Sequence, residues 1–214
     1  MSLRTLLFFL AFGYLGAAVA ATADPNTCNL NDFAKIGYFD FRDNSRMALQ
    51  RRQLVEGAHF TASVRRGVSG NTGKLIDDLD YVLRHIPNHP QALMVMYNVQ
   101  TRPGFKRNKP GRTDYYYDSI GCYFKKALAV APDDPAIYLA RAIAAHRKGE
   151  KKLAEQDYLH ALSLHQDYAE AHYNFGLLLF SQKKFQDAQE HADKAYELGY
   201  PLEGLRRKLA SRSK

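Results

Sequence analysis

The chain has 214 residues, enough for one hydrophobic core or one short array of repeats, and its composition excludes a low-complexity or disordered protein. Lysine and arginine together number 30 against 22 aspartates and glutamates, which gives a formal net charge of +8. This surplus favours anionic partners such as acidic protein surfaces, lipid headgroups or envelope polymers, although charge of this size also serves general solubility.

Residues 1–23 have the layout of a secretory signal peptide. Arg4 precedes an uncharged apolar run from Thr5 to Ala21, and small residues recur at its end. We therefore expect export, with a bacterial periplasm as the destination; an uncleaved membrane anchor is the alternative, because the run is close to the shortest length that spans a bilayer. No later stretch is long and apolar enough to span, so we expect the mature chain to be soluble.

Cys28 and Cys122 are the two cysteines of the chain. In an oxidising compartment an even count permits one disulfide, which would tie the N-terminal segment to a helix near the middle of the chain. Two unpaired thiols are the alternative. The sequence leaves both open, because two cysteines alone fix no geometry.

The first part of the mature chain has weak helical periodicity. Residues 24–55 show no repeat register and are predicted to be an N-terminal extension that caps the array. Residues of about 56–89 form a degenerate unit, in which Leu75, Leu79 and Leu83 have helical spacing.

The next unit, residues 90–134, is longer than the units that follow it. Pro90–Gln100 is predicted to be its first helix and Asp114–Val130 its second. The excess length is predicted to be a loop at about 101–113 inserted between these two helices.

Two stretches in the C-terminal half, residues 135–168 and 169–202, have the same length and align without a gap. Each contains two helical patterns separated by a polar break, and the Asp134–Pro135 pair is a helix-start signal. The small residues of the two stretches coincide: Ala142 with Gly176, Ala154 with Ala188, and Ala161 with Ala195. Residues 203–214 are predicted to form a basic terminal helix and tail that cover the last apolar face.

The two aligned units resemble the tetratricopeptide repeat (TPR) in their length, in the small residue of the first helix and in the paired alanines of the second. Tyr158 and the run Tyr173–Gly176 are also typical of that family. Three positions depart from its pattern: Tyr138, His172 and Ala192. The resemblance implies an all-α fold, a TPR-type α-solenoid of helix-turn-helix repeats in a right-handed superhelical array. The whole chain also resembles exported bacterial envelope proteins that carry a few such repeats.

The resemblance further implies that the first helices line a concave groove, which here is apolar with a few polar groups. The residues expected to face it are Met94, Asn98, Arg102, Leu139, Ile143, His146, Arg147, Tyr173, Leu177 and Phe180. One TPR subclass clamps a terminal carboxylate with lysines, but Leu139 and Tyr173 stand at those positions, which argues against that mode. We therefore expect an exported adaptor or scaffold that binds a protein or peptide with hydrophobic anchors, during assembly of an envelope complex. Coverage of the groove by residues 24–55 or by self-association is the alternative, and the sequence leaves the oligomeric state open.

The inserted loop is a second candidate surface. Its basic residues are Arg102, Lys106, Arg107, Lys109 and Arg112, and three tyrosines follow them directly. This composition favours an alternative function, association with an anionic membrane surface or polymer through this loop and the basic C-terminal helix. A solvated loop explains the same residues, and we expect no nucleic-acid partner because the chain is predicted to be exported.

The residues that usually carry enzyme chemistry form no recognisable set. There is no nucleophile motif, phosphate-binding loop or dinucleotide fingerprint. His85 and His89 are separated by Pro87, whereas Asp187 and His191 lie one helical turn apart without identifiable further ligands. Four acidic residues are interpreted as solvated or helix-capping charges: Glu150, Glu155, Asp157 and Glu170. We therefore expect no enzymatic activity, no metal and no cofactor.

Overall fold

The computed structural model describes residues 28–30, 37–108 and 117–212, and these ranges form helices without any β-strand, which confirms the all-α prediction for them. The predicted signal peptide, residues 1–23, lies outside the described residues. None of the helices in the described ranges is long and apolar enough to cross a membrane. In chain order the ten helices of these ranges are α1 (Arg46–His59), α2 (Ala62–Arg65), α3 (Leu75–His85), α4 (Pro90–Gln100), α5 (Ile120–Val130), α6 (Pro135–Lys148), α7 (Lys151–Leu164), α8 (Ala169–Ser181), α9 (Phe185–Glu197) and α10 (Gly204–Arg212).

The most extensive helix–helix contacts of the described ranges are within the hairpins α6–α7 and α8–α9. Both pairs contain small residues that are buried. They are Ala142, Ala154 and Ala161 in the first hairpin, and Gly176, Ala188 and Ala195 in the second. Short side chains allow the backbones to approach closely, and larger neighbours then fill the remaining space. The coincidence of small residues in the sequence thus corresponds to two equivalent packing interfaces.

The turns inside these hairpins share a left-handed residue. Gly149 follows α6 with a φ of 81°, and Lys183, the aligned residue of the next unit, follows α8 with a φ of 64°. In both turns the next residue donates its backbone N–H back into the helix, from Glu150 to Ala145 and from Lys184 to Leu179. Glycine adopts this conformation freely, whereas lysine does so at a cost.

Two helix starts differ from the sequence prediction. Helix α1 begins at Arg46 and crosses the predicted boundary at residue 55, so helical structure starts earlier than its weak periodicity indicates. Only Ala48 of α1 is fully buried, which explains why its sequence carries little pattern. Helix α5 begins at Ile120, after an N-cap at Ser119, and not at Asp114. Residues 117–119 are not helical, and the backbone N–H of Tyr117 donates to the carbonyl of Arg107.

Helix α6 connects the two halves of the described structure. One of its faces joins the first apolar core, formed mainly by α3, α4 and α5, through Ile137, Ala140 and Ala144. Its other face joins the second core, formed with α7, α8 and α9. Helix α6 also contacts both α4 and α8, the first helices of the preceding and following pairs.

The described N-terminal segment, residues 37–45, contacts the turns between helix pairs. The N–H of Phe39 donates to the carbonyl of His85 (3.0 Å), and the N–H of Phe41 donates to Oδ1 of the buried Asn88 (2.8 Å). The structure also joins Cys28 to Cys122 of α5 by a disulfide, with a Cα–Cα distance of 5.3 Å. The extension is therefore fixed to helices that follow it much later in the chain.

Candidate functional site

An open cleft of about 390 Å³ lies between α4, α6 and the beginning of α8. Its lining is mostly apolar and comes from all three helices: Pro90, Gln91 and Met94 from α4, Ala136, Leu139, Ala140 and Ile143 from α6, and Tyr168 and Glu170 from the start of α8. The volume falls in the usual range of small ligand sites. The cleft is formed where α6 lies between α4 and α8.

Three of the residues predicted to face a groove line this cleft: Met94, Leu139 and Ile143. Met94 and Ile143 are partly exposed, and they supply the accessible apolar surface. Leu139 is only 3% exposed, because its side chain also belongs to the second core. A substitution at Leu139 would therefore change folding as well as binding, whereas Met94 and Ile143 can be changed with less damage.

The polar residues predicted for the groove lie toward the other ends of α4 and α6. Arg147 donates from Nη1 to Oδ1 of Asn98 at 3.1 Å, a bond that joins α6 to α4. Arg102 donates from Nη2 to the carbonyl of Gly67 at 2.6 Å and thereby fixes the turn after α2. His146 is half-buried beside the ring of Tyr158, and burial together with nearby Lys151 and Arg147 lowers its pKa. Both arginines thus already have partners within the protein.

The last three predicted groove residues, Tyr173, Leu177 and Phe180, contact the C-terminal helix. Tyr173 is 7% exposed and shares an apolar cluster with the fully buried Leu205 of α10. Leu177 and Phe180 pack against the same cluster. These side chains are therefore the contact surface for α10 and do not contribute to the open cleft.

Glu170 and Tyr168, which the sequence does not single out as binding residues, form the polar edge of the cleft. Glu170 is the second residue of α8 and remains solvent-accessible, yet desolvation by the surrounding protein raises the pKa of its carboxyl. Burial, with the neighbouring Glu170 and Asp134 carboxylates, raises the pKa of Tyr168 to about 12. The phenol therefore stays protonated at neutral pH, and the carboxyl group of Glu170 is accessible to a ligand.

The predicted basic loop is described only in part. Lys106 is exposed, Arg107 is half-buried, and Lys109 and Arg112 lie outside the described residues. Tyr117, directly after the loop, donates its hydroxyl to Oδ1 of Asp77 in α3 (2.5 Å). Arg102 and Tyr117, on either side of the loop, are thus bonded to the turn after α2 and to α3.

Histidines also contact titratable side chains of other helices, and these contacts join the helices. Asp78, fully buried in α3, accepts bonds from Thr72, Asn71 and Nδ1 of His59 at the end of α1. His172 of α8 and His191 of α9 face each other with their Nδ1 atoms 2.8 Å apart. Within the described ranges, no three metal-ligating side chains of His, Cys, Asp or Glu come together.

The cleft combines an aliphatic floor with one carboxylate and one phenol at its edge. Such a lining can bury an apolar side chain of a ligand and can orient it through one or two polar contacts. Function has to be inferred from these groups themselves, since no protein-family model matches the chain and no curated protein matches it.

Proposed function

We propose that this protein is an exported, non-enzymatic adaptor of the tetratricopeptide-repeat type, which holds a peptide segment of a partner protein in the cleft between α4, α6 and α8. The observation that carries the proposal is the cleft itself, an accessible apolar site between first helices. Export is inferred from the composition of residues 1–23.

The helix positions support a repeat array. Helices α6 and α8 begin at Pro135 and Ala169, and helices α7 and α9 begin at Lys151 and Phe185, so the two pairs of helix starts have the same separation along the chain. The left-handed residues between them have this separation too. Since repeated helix pairs stack on their neighbours, this equivalence favours a solenoid in which α4, α6 and α8 share one face.

The chemistry of the lining supports binding of a peptide. Met94, Leu139 and Ile143 offer aliphatic surface to a hydrophobic anchor, and exposed apolar surface on a folded protein usually marks an interaction site. The described lining residues include no serine, cysteine, lysine or histidine, so the lining gives no support for an enzymatic site in the cleft. Holding a partner is the function that these groups serve best.

A display selection with short random peptides on the immobilised protein tests the proposal. The variant Met94→Gln/Ile143→Gln makes the cleft polar while keeping side chains of similar length. The matched control, Leu159→Gln/Leu164→Gln, makes the same change at two exposed leucines of α7, which are 52% and 40% exposed. Far-ultraviolet circular dichroism of all three proteins checks that each remains helical.

We expect the wild type and the α7 control to enrich the same peptides, rich in aliphatic anchors, and the cleft variant to lose that enrichment. Equal enrichment by the cleft variant would sink the proposal. So would a wild type that enriches no peptide but binds vesicles of anionic phospholipid, because that result supports the membrane-surface alternative.

A further inference from the structure

Glu170 is an unpaired carboxylate in a cleft whose other lining residues are uncharged. Within the described part of the chain its side chain takes part in no ion pair and accepts no hydrogen bond; the bond from Asn174 goes to its backbone carbonyl (2.9 Å). Asp134, the other acid close to Tyr168, has partners, because it accepts from the N–H of Ala136 (3.0 Å) and lies 3.7 Å from Nε of Arg42. Glu170 therefore differs from its neighbour in having carboxylate oxygens that are open to a ligand.

The Glu170 side chain is exposed to solvent, yet the protein on its cleft side partly desolvates it. The protein around it removes part of its hydration, which raises its pKa, and no lysine or arginine among the described lining residues compensates. Its place in the first turn of α8 gives a favourable interaction with the helix dipole. That interaction explains an acid at this position of a helix, but it does not explain why the side chain faces the cleft.

The floor of the cleft lies beside Glu170 and is aliphatic. Met94 and Ile143 are partly exposed there, and Tyr168, a neutral phenol at neutral pH, stands next to the carboxylate. A ligand that fits both parts has a cationic group close to an apolar side chain. A ligand with a carboxylate at the same place would be repelled by Glu170, and a purely apolar one would leave Glu170 partly desolvated without a partner.

Resting on the proposed peptide-binding function, we infer that the cleft selects partner segments in which a lysine or arginine lies next to a long aliphatic residue, with the cation paired to Glu170 and the aliphatic side chain against Met94 and Ile143. This preference is local. The chain as a whole carries a net charge of +8 and attracts anions at long range. Glu170 thus gives the cleft a local preference for cationic groups, although the net positive charge of the chain repels cations at long range.

The test compares selections on three proteins: wild type, Glu170→Gln, and Glu190→Gln as a matched control. Glu190 is an exposed glutamate of α9 outside the cleft lining, so its substitution makes the same chemical change elsewhere. The most enriched wild-type peptide is then synthesised with lysine and with norleucine at its basic position. Fluorescence anisotropy gives the dissociation constant of each peptide with each protein.

We expect basic residues beside aliphatic ones in the peptides selected by wild type and by Glu190→Gln, and their absence from those selected by Glu170→Gln. Affinity for the lysine peptide should fall about three- to tenfold in Glu170→Gln, whereas affinity for the norleucine peptide should not fall. The inference would be overturned if wild type selected aliphatic peptides without basic residues, or if Glu170→Gln changed the affinity for both peptides equally. Either result would still be consistent with the adaptor function. No enrichment by any of the proteins would overturn both.

Discussion

Arg141 of α6 forms a two-pronged ion pair with Asp157 of α7, with Nε–Oδ2 and Nη2–Oδ1 distances of 2.7 Å each. The carboxylate of Asp157 is almost fully buried, whereas the Arg141 side chain is 27% exposed. The pair crosses the interface at which Ala142 and Ala161 bring the two helices together. The two side chains therefore differ in their access to water. Arg141 can be hydrated when Asp157 is removed, whereas Asp157 cannot be hydrated when Arg141 is removed.

We expect Arg141→Met to destabilise the protein by about 3 kcal/mol, since it leaves a buried carboxylate without a partner. Asp157→Asn should cost less, because the partly exposed guanidinium regains water and keeps an acceptor. Urea denaturation followed by circular dichroism measures both. A loss for Arg141→Met no larger than that for Asp157→Asn would contradict this asymmetry.

Gly176 lies where helix α10 crosses α8. A Cβ added there would be 2.6 Å from Cδ2 of Leu205 and 3.3 Å from the carbonyl oxygen of Ala188, so Leu205 would have to move. We expect Gly176→Ala to loosen α10 and to accelerate tryptic cleavage at Arg206 and Arg207, even though alanine improves helix propensity by about 1 kcal/mol. Gly121→Ala in α5 is the control, because its nearest atom is 3.9 Å away, and its cleavage rate should equal that of wild type.

Lys183 adopts the left-handed conformation that Gly149 adopts at the equivalent turn of the preceding hairpin. For a residue with a Cβ this conformation costs about 1–2 kcal/mol. Glycine avoids this strain, but the greater conformational entropy of glycine in the unfolded chain cancels part of the gain in stability. We therefore expect Lys183→Gly to stabilise the protein by about 0.5–1 kcal/mol and to raise its Tm. Gly149→Lys should do the reverse. A lower Tm for Lys183→Gly would show that the lysine side chain makes a contact that outweighs the strain.

His191 links pH to stability. Burial and the nearby His172 lower its pKa, against the weaker opposing influence of Glu190 and Asp187, so the folded protein favours the neutral ring. The unfolded chain protonates its histidines near their ordinary pKa of about 6.5. Below that pH the unfolded state therefore binds more protons than the folded state, and stability falls as pH decreases towards the pKa of the folded protein.

When the pH is lowered from about 7.5 to about 5.5, we expect the free energy of unfolding to fall less for His191→Gln than for wild type. The difference between the two proteins should be at most about 1.4 kcal/mol for each pH unit. Burial also lowers the pKa values of His85 and His146, so some pH dependence should remain. Urea midpoints across this range measure the difference. Parallel curves for the variant and the wild type would mean that His191 keeps an ordinary pKa.

Helices with strong local signals follow the sequence closely. Helix α4 spans Pro90–Gln100 as predicted, because a proline in the first turn marks its start. The side chain of Asp134 accepts from the N–H of Ala136, which is the capping bond that its position before Pro135 predicts. These signals lie within a few residues of the feature they determine, so one sequence suffices to find them.

The features that the sequence does not reveal depend on distant contacts. Residues 117–119, directly before α5, are not helical, and Tyr117 bonds to Arg107 and to Asp77, which belongs to a different helix far earlier in the chain. A terminal helix is predictable, but the face on which it packs, over Tyr173, is decided by tertiary fit to Leu205. Glu170 looks like an ordinary first-turn acid until Met94 and Ile143, from two other helices, are placed around it.

The N-terminal segment has a consequence for recognition. Asn88, in the turn before α4, donates to Asp40 (2.6 Å) and to Asp134 (3.4 Å), which precedes α6, and Arg42 bonds to Asp133 beside it (2.9 Å). These bonds connect the residues just before α4 to those just before α6, the two helices that flank the cleft. Two helices held in this way cannot separate freely, so the cleft between them is preorganised, and a ligand loses less free energy to ordering the receptor than it would between freely moving helices.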